Sequence, residues 1–343
     1  MALAGAPAAP YHRCVVHQPG TRTMSSGPRL SVVLGSFNRL QPLQRLLDSI
    51  LRETRTPLVI HVTDAGSTDG AQEYLRSVAG EVIRPHLIGR KLGQAKAYND
   101  VFRTLQTPYV VWLSDDNEVV NGGLDVAVRV LDQRPEIGMV GLKTKDVQGP
   151  FLGSVYIGGV SEIGVLNVNQ GMLRTPVLAE VGYFSEAFAN YGIDPDLTAK
   201  VLYSGHDVVY TRPVALHHYR DWPVQPGTPE HAALARLHER SLRLYRDKYA
   251  GLSDGDGGWR AKRRFWAWFK KRLRGRYDEN STKPHLGGLW RDWNNVFLSR
   301  HIGLFDPWAT LGRDFHLRQH VRRGQRPRTL PADPATEPPQ GQG

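Results

Sequence analysis

Residues 30–64 read LSVVLGSFNRLQPLQRLLDSILRETRTPLVIHVTD, and this stretch decides the architecture. LSVVLGS is a short apolar run of strand length. QPLQRLLDSILRET then sets Leu43, Leu46, Leu47, Ile50 and Leu51 at helical spacing, which gives a helix with one apolar stripe. LVIHVTD is a second apolar run. Strand, amphipathic helix and strand in this order make a βαβ unit, whose strands run parallel through a right-handed crossover. The alternation continues outward: TDGAQEYLRSVA reads as a helix, EVIRPHL as a strand, GQAKAYNDVFRTL as a helix and YVVWLSD as a fourth strand. The expected class is α/β, a mainly parallel central sheet flanked by helices.

The 343 residues are 40% hydrophobic with 8 Trp and 35 Gly, an ordinary balance for an enzyme-sized chain. No apolar run approaches the roughly 20 residues that span a bilayer. The start, MALAGAPAAPYHRCVV, has no basic n-region and its apolar part is broken by Pro, so a signal peptide is not expected. Cys14 is the single cysteine, which excludes an intramolecular disulfide and suits a reducing cytoplasm. Charge is unevenly placed: residues 251–343 hold 18 Lys+Arg against 9 Asp+Glu, whereas residues 1–250 hold 26 against 24.

Four segments are expected. Residues 1–28 are a disordered leader by composition, and 29–250 form the α/β domain. Beyond residue 138 its Gly-rich short runs suggest antiparallel segments. They are followed by helices at PVLAEVGYF and DPDLTAKVLYSG, a strand at HDVVYTR and a long helix at EHAALARLHERSLRLYRDKYA. After the linker GLSDGDGG, residues 251–325 read as a basic–aromatic helical extension, and 326–343 as a disordered tail.

The polar clusters fall at the carboxyl ends of the expected strands, where open α/β sheets bind ligands. Asp64 in DAGSTDG is placed either to cap a turn or to accept hydrogen bonds from a base or ribose. Asn38 and Arg39 in SFNR read equally as helix caps or nucleotide contacts. Gly93 opens a helix with Lys91 and Lys96 close by, which suits phosphate and also an exposed basic helix face. SDDNE, Ser114 to Glu118, sets hard oxygen donors side by side. Mg2+ or Mn2+ prefers such donors when a diphosphate and water complete its shell; a turn or helix cap is the plainer alternative. Asp194 and Asp196 flank Pro195 at a helix start, as caps or with Asp194 as a general base. His217 and His218 end a strand, either structural or ligating.

The order of these fragments resembles a known family. SVVLGSFNR, VTDAGSTDG, KLGQAKAYND, YVVWLSDDNEV, QGMLRTPVLAEVGYF, YGIDPDL and LHHY are similar to the successive signatures of family 2 inverting glycosyltransferases of the GT-A fold, over about residues 29–220. No single piece is specific; the ordered set is. The resemblance implies a Rossmann-like nucleotide-diphospho-sugar transferase fold. It places Ser36, Asn38, Arg39, Asp64, Lys96, Asn99, Ser114 and Asp115 at the nucleotide sugar, with Asp64 on the base. Asp116 and His217 would hold a divalent cation, Mn2+ or Mg2+. Asp194 would be the catalytic base, and Gln170 and Gly171, with Asn169, would line the acceptor side. The chain also departs from the pattern: Ala65, Lys91, Ser114 and Ile193 stand where the family usually has Asp, Asn, an acid and an acid.

In WRAKRRFWAWFKKRLRGRY, residues 259–277, Trp259, Phe265, Trp266, Trp268 and Phe269 share one half of a helical wheel and the cations crowd the other. That pattern suits a helix lying on an anionic membrane. Packing on the domain is the second reading and nucleic acid the third. The expected protein is therefore a metal-dependent glycosyltransferase with a glycan or lipid-linked acceptor, in cell-surface polysaccharide or glycolipid synthesis, peripheral at the inner face of the membrane. The competing expectations are a nucleotidyltransferase on a related α/β sheet and a degenerate GT-A binding protein. Against the first, no Gly-rich triphosphate loop with a Lys or Arg follows the opening strand.

Overall fold

A computed structural model describes residues 27–148, 156–161, 163–188, 191–219, 227–252, 314–321 and 326–333. The stretch 259–277, on which the membrane expectation rests, lies outside the described residues, as do residues 1–26 of the leader.

The βαβ reading holds from the first strand. β1 (Leu30–Ser36), α1 (Leu40–Glu53), β2 (Leu58–Asp64), α2 (Ala71–Val78), β3 (Ile83–Leu87), α3 (Gln94–Phe102) and β4 (Tyr109–Ser114) follow one another. A short β5 (Asn117–Val119), α4 (Gly123–Gln133) and β6 (Ile137–Gly141) come next. The Gly-rich region gives β7 (Thr144–Asp146), β8 (Tyr156–Ile157), β9 (Gly159–Val160), β10 (Leu166–Asn167) and β11 (Gly171–Arg174). Then come α5 (Thr175–Glu180), α6 (Ile193–Ser204), β12 (Asp207–Thr211), β13 (Leu216–His218), α7 (Pro229–Lys248) and β14 (Phe315–Gln319).

Eight strands form the main sheet in the order β14-β12-β6-β11-β4-β1-β2-β3. β1 runs parallel to β2 and β4, β2 to β3, and β6 to β12, while β11 and β14 are antiparallel to their neighbours. A second sheet has the order β5-β13-β7-β8, with β5 following β4 and β7 following β6 in the chain. The mainly parallel sheet flanked by helices is thus as expected.

Side chains alternate across the central strands, so both faces are buried. Val32 and Leu34 pack with Leu43, Leu46, Leu47 and Ile50 of α1 and with Leu124 and Leu131 of α4. Val33 and Trp112 face the other way, onto Tyr98 and Phe102 of α3 and Leu197 and Val201 of α6. Each fully buried Leu on α1 contributes about 1.5–3 kcal/mol by leaving water. α3 is fixed at the strand ends by Tyr98: its hydroxyl donates to Leu113 O at 2.8 Å and accepts from Gly35 N at 2.9 Å.

The C-terminal part differs from the expectation of a helical extension over 251–325. Phe315–Gln319 is a strand, paired antiparallel with β12 at the edge of the main sheet. Its position is set by long-range contacts: Arg318 Nε donates to Asp207 Oδ2 at 2.6 Å, and Phe315 is buried. Residues 326–333, expected as part of a disordered tail, lie against the domain. Lys248 Nζ donates to Asp333 Oδ1 at 2.7 Å, and Leu330 packs on the core.

Candidate active site

The parallel register brings three polar strand ends level: Ser36 pairs with Asp64, and Gly35 with Ser114. Two loops continue from them and are stitched together. Ser67 Oγ accepts from Asn38 N at 2.9 Å, and Asn38 Oδ1 accepts from Thr68 N at 2.8 Å. Asp69 Oδ2 accepts from Leu40 N at 2.8 Å, supplying the first turn of α1 with the acceptor its own N-cap lacks. Asp64 is fully buried, and its Oδ1 accepts from both Gly66 N and Ser67 N at 2.9 Å. Gly66 has φ 94°, and a Cβ there would meet Gly89 O at 2.8 Å, so only glycine lets this loop press against the one after β3. Beside the loops Phe37 is 37% exposed, with Lys91 Nζ 3.9 Å from its ring centroid. An exposed ring with a cation over it can take a flat, electron-rich group; the sequence reading noted Lys91 as a phosphate candidate and passed over Phe37.

At the end of β4 the acidic pair is buried and already holds a cation. Arg39 Nη1 lies 3.1 Å from Asp115 Oδ1 and 3.1 Å from Asp116 Oδ2. Burial pushes Asp115 up to about 6 despite Arg39, and the neighbouring Asp116 adds to the rise. Burial also pushes Asp116 upward, but hydrogen bonds and charge from His218 and Arg39 win and hold it below its ordinary value.

The imidazole beside Asp116 is that of His218, with Nε2 3.5 Å from Asp116 Oδ2. His217, the residue expected at the cation, turns to the other face of β13, with Nδ1 3.7 Å from Glu118 Oε2. The reason is register: β13 pairs with β5 so that His217 sits opposite Glu118 and His218 opposite Asn117, and adjacent strand residues face opposite ways. Of the two imidazoles it is therefore His218, and not the expected His217, that lies beside Asp116.

Among the described residues, no three His, Cys, Asp or Glu side chains meet as a ready metal cluster. The donor set still suits a divalent cation that brings other ligands with it. Asp116 and His218 offer one hard oxygen and one imidazole nitrogen. His218 Nδ1 and Asn117 Oδ1 are buried beside them with no hydrogen-bond partner. One or two protein ligands completed by phosphate and water is the ordinary arrangement for Mg2+ and suits Mn2+.

Ser114, where the family usually has an acid, is locked by Gln170. Ser114 N donates to Gln170 Oε1 at 3.0 Å, and Gln170 Nε2 donates to Ser114 Oγ at 2.9 Å. Gln170 Nε2 also reaches Asn169 Oδ1 at 3.4 Å, and Asn169 Nδ2 reaches Asp194 Oδ2 at 3.4 Å. A chain of amides thus runs from the acidic turn to the first turn of α6. Asp194 keeps some exposed surface, yet the protein packed round its carboxyl pushes it up to about 8, with Asn169 and Trp112 pulling the other way. A carboxyl tuned near neutrality suits proton transfer.

The remaining expected residues have other neighbours. Lys96 is exposed on α3, paired with Asp100 at 3.0 Å one turn on. Asn99 is buried and ties α3 to the 184–186 turn: its Nδ2 donates to Phe184 O at 2.9 Å and its Oδ1 accepts from Phe184 N at 3.0 Å. Gly171 crosses Trp112, and a Cβ there would meet the indole at 2.9 Å.

Comparison with known proteins bears on the family and the fold. Residues 31–155 match the family model described as Glycosyl transferase family 2. An uncharacterized glycosyltransferase of Nostoc sp. is 26% identical over 115 residues, which cover 33% of this chain and 35% of that protein. Among solved structures, Staphylococcus aureus TarS superposes with a TM-score of 0.50 at 18% identity, over 72% of this chain and 44% of that one. TarS 1–349 in complex with UDP-GlcNAc gives 0.50 at 18% identity, over 71% of this chain and 72% of that one. GalNAc-T7 with UDP, GalNAc and Mn2+ gives 0.51 at 13% identity, over 66% and 50%. The chain thus spans about a third of the curated relative and less than half of the longer TarS chain. The fold is that of the GT-A glycosyltransferases. The resemblance to family 2 is borne out, with the family match over residues 31–155.

Among the described residues, no helix is long and apolar enough to cross a membrane.

Proposed function

We propose that this chain is a metal-dependent, inverting glycosyltransferase that moves a sugar from a nucleoside diphosphate to an acceptor hydroxyl. The observation that carries the reading is the amide chain Ser114–Gln170–Asn169–Asp194, which holds a tuned carboxyl in fixed relation to the acidic turn. UDP-GlcNAc in TarS and UDP, GalNAc and Mn2+ in GalNAc-T7 support a nucleotide sugar as donor class.

The Asp64 loop and the exposed Phe37 ring receive the nucleoside. Asp116 and His218 would hold a divalent cation, whose charge would offset the negative charge gathering on the diphosphate. Asp194 takes the proton from the acceptor hydroxyl as its oxygen attacks the anomeric carbon. The bond from that carbon to the diphosphate breaks on the opposite face and its electron pair leaves with the diphosphate. One displacement inverts the anomeric centre and needs no covalent sugar–enzyme intermediate.

For the acceptor, the basic–aromatic residues 259–277 support docking on an anionic membrane and hence a lipid-linked or membrane-proximal glycan. A thermal-shift screen of UDP-, GDP- and dTDP-sugars with Mn2+, followed by assay of the released nucleotide, tests the proposal. Stabilisation by one donor class and release of its nucleoside diphosphate are expected. Release of pyrophosphate from a nucleoside triphosphate would overturn the reading.

A further inference from the structure

The acidic pair has a resident counter-ion, and its position has a consequence for how a cation can enter. One nitrogen of Arg39 is 3.1 Å from an oxygen of each carboxylate. Asp115 and Asp116 are each only 7% exposed, so water does little to separate their charges. Two adjacent buried carboxylates cannot both stay ionised without a cation, and here the guanidinium supplies it. It does so at Asp116 Oδ2, the same oxygen that lies 3.5 Å from His218 Nε2. A divalent ion entering between Asp116 and His218 would therefore meet a like charge already in hydrogen-bond contact with its first ligand.

Arg39 also has somewhere else to go. It follows Asn38 directly, on the loop stitched to residues 67 and 68 beside buried Asp64. A diphosphate brought there presents oxygens that a guanidinium binds in pairs, more strongly than it binds one oxygen of each of two carboxylates.

We infer that Arg39 makes cation binding conditional on the nucleotide: the guanidinium neutralises Asp115 and Asp116 in the donor-free protein and passes to the diphosphate when the divalent cation takes its place. The inference rests on the glycosyl-transfer reading and adds an order of events to it. The donor-free protein is a poor metal binder, and cation and nucleotide each strengthen the other's binding, reciprocally, as linkage requires.

The test is Mn2+ uptake by the full chain, read from the electron paramagnetic resonance signal of unbound Mn2+. It is run without nucleotide and with UDP or GDP, after subtraction of the Mn2+–nucleotide complex measured alone. The wild-type protein is expected to bind Mn2+ about tenfold more tightly with nucleotide than without. Arg39→Ala is expected to gain about tenfold in nucleotide-free affinity and to lose most of the dependence on nucleotide. Arg39→Gln keeps N–H donors for both carboxylates but no charge; it should gain likewise, and it stands in if the alanine variant does not fold. Nucleotide-dependent uptake with no nucleotide-free gain in either variant overturns this inference and leaves the glycosyl-transfer reading standing. Absence of uptake by all three proteins with either nucleotide overturns both.

Discussion

Lys248 Nζ lies 2.6 Å from Asp196 Oδ1, with both side chains fully buried, two residues along the same helix from Asp194. Tyr249 OH donates to the same oxygen at 2.9 Å, and Asp333 meets Lys248 from the C-terminal segment at 2.7 Å. Lys248→Met removes the nearer of two cations on Asp196 and leaves Lys200 at 3.7 Å to offset part of the charge. The expected loss in urea unfolding is more than about 1 kcal/mol and at most about 3–5 kcal/mol, the cost of a fully unpaired buried charge. Asp333 has half its side chain in water, so Asp333→Ala should cost about 1 kcal/mol or less. Equal costs for the two variants would show that the buried pair is not what holds α6.

Asp194→Asn should abolish transfer while circular dichroism and nucleotide binding persist. With the carboxyl at about 8 instead of its ordinary 3.8, the base is unprotonated only at higher pH. The ratio kcat/KM should climb about tenfold per pH unit and level off above pH 8. The sign for stability is opposite. Between pH 4 and 8 the unfolded chain has lost a proton that the folded protein keeps, so this group's contribution falls as pH rises. Asp194→Asn escapes that fall and should melt higher than the parent at pH 8.5. A flat rate profile together with an unchanged melting point would remove Asp194 from the base role.

For the imidazoles, Mn2+–nucleotide affinity should fall about tenfold or more in His218→Ala and stay close to the parent value in His217→Ala. The reverse ranking, measured by the same titration, would restore His217 as the ligand and contradict the strand register.

Gln319 carries a stability prediction. Fully buried on β14, it accepts from Leu166 N at 2.9 Å and donates to Gly164 O at 2.7 Å. Gln319→Ala leaves two buried backbone groups unpaired, at about 1–3 kcal/mol each. A denaturation midpoint unchanged from wild type would mean that β14 is not held in the sheet as described.

Much of this was legible in the chain because it is local. The apolar stripe Leu43–Leu46–Leu47–Ile50 and the neighbouring seven-residue runs announce a βαβ unit within one window. Asp64 and Asp116 could be singled out because motif order carries the strand-end positions, and Asp194 because the same order marks the start of α6. What was not legible depends on pairing at a distance. β14 is a strand because β12, about a hundred residues earlier, offers it an edge and Asp207. The choice between His217 and His218 follows from the β5–β13 register, which adjacent identical residues cannot reveal. Asn99 belongs to a helix with a convincing motif, but its amide is taken by Phe184, a partner 85 residues away.

The return of the chain at β14 changes what residues 253–313 are to the protein. Asp314 is fastened on arrival, its backbone oxygen accepting from Arg212 N at 2.9 Å and its carboxylate paired with Arg129 at 3.1 Å. The basic–aromatic segment is therefore a parenthesis in the domain, opened after Leu252 and closed at Asp314, with a covalent attachment at each side. A protein trimmed at residue 252 gives up a sheet strand along with the segment it was meant to shed.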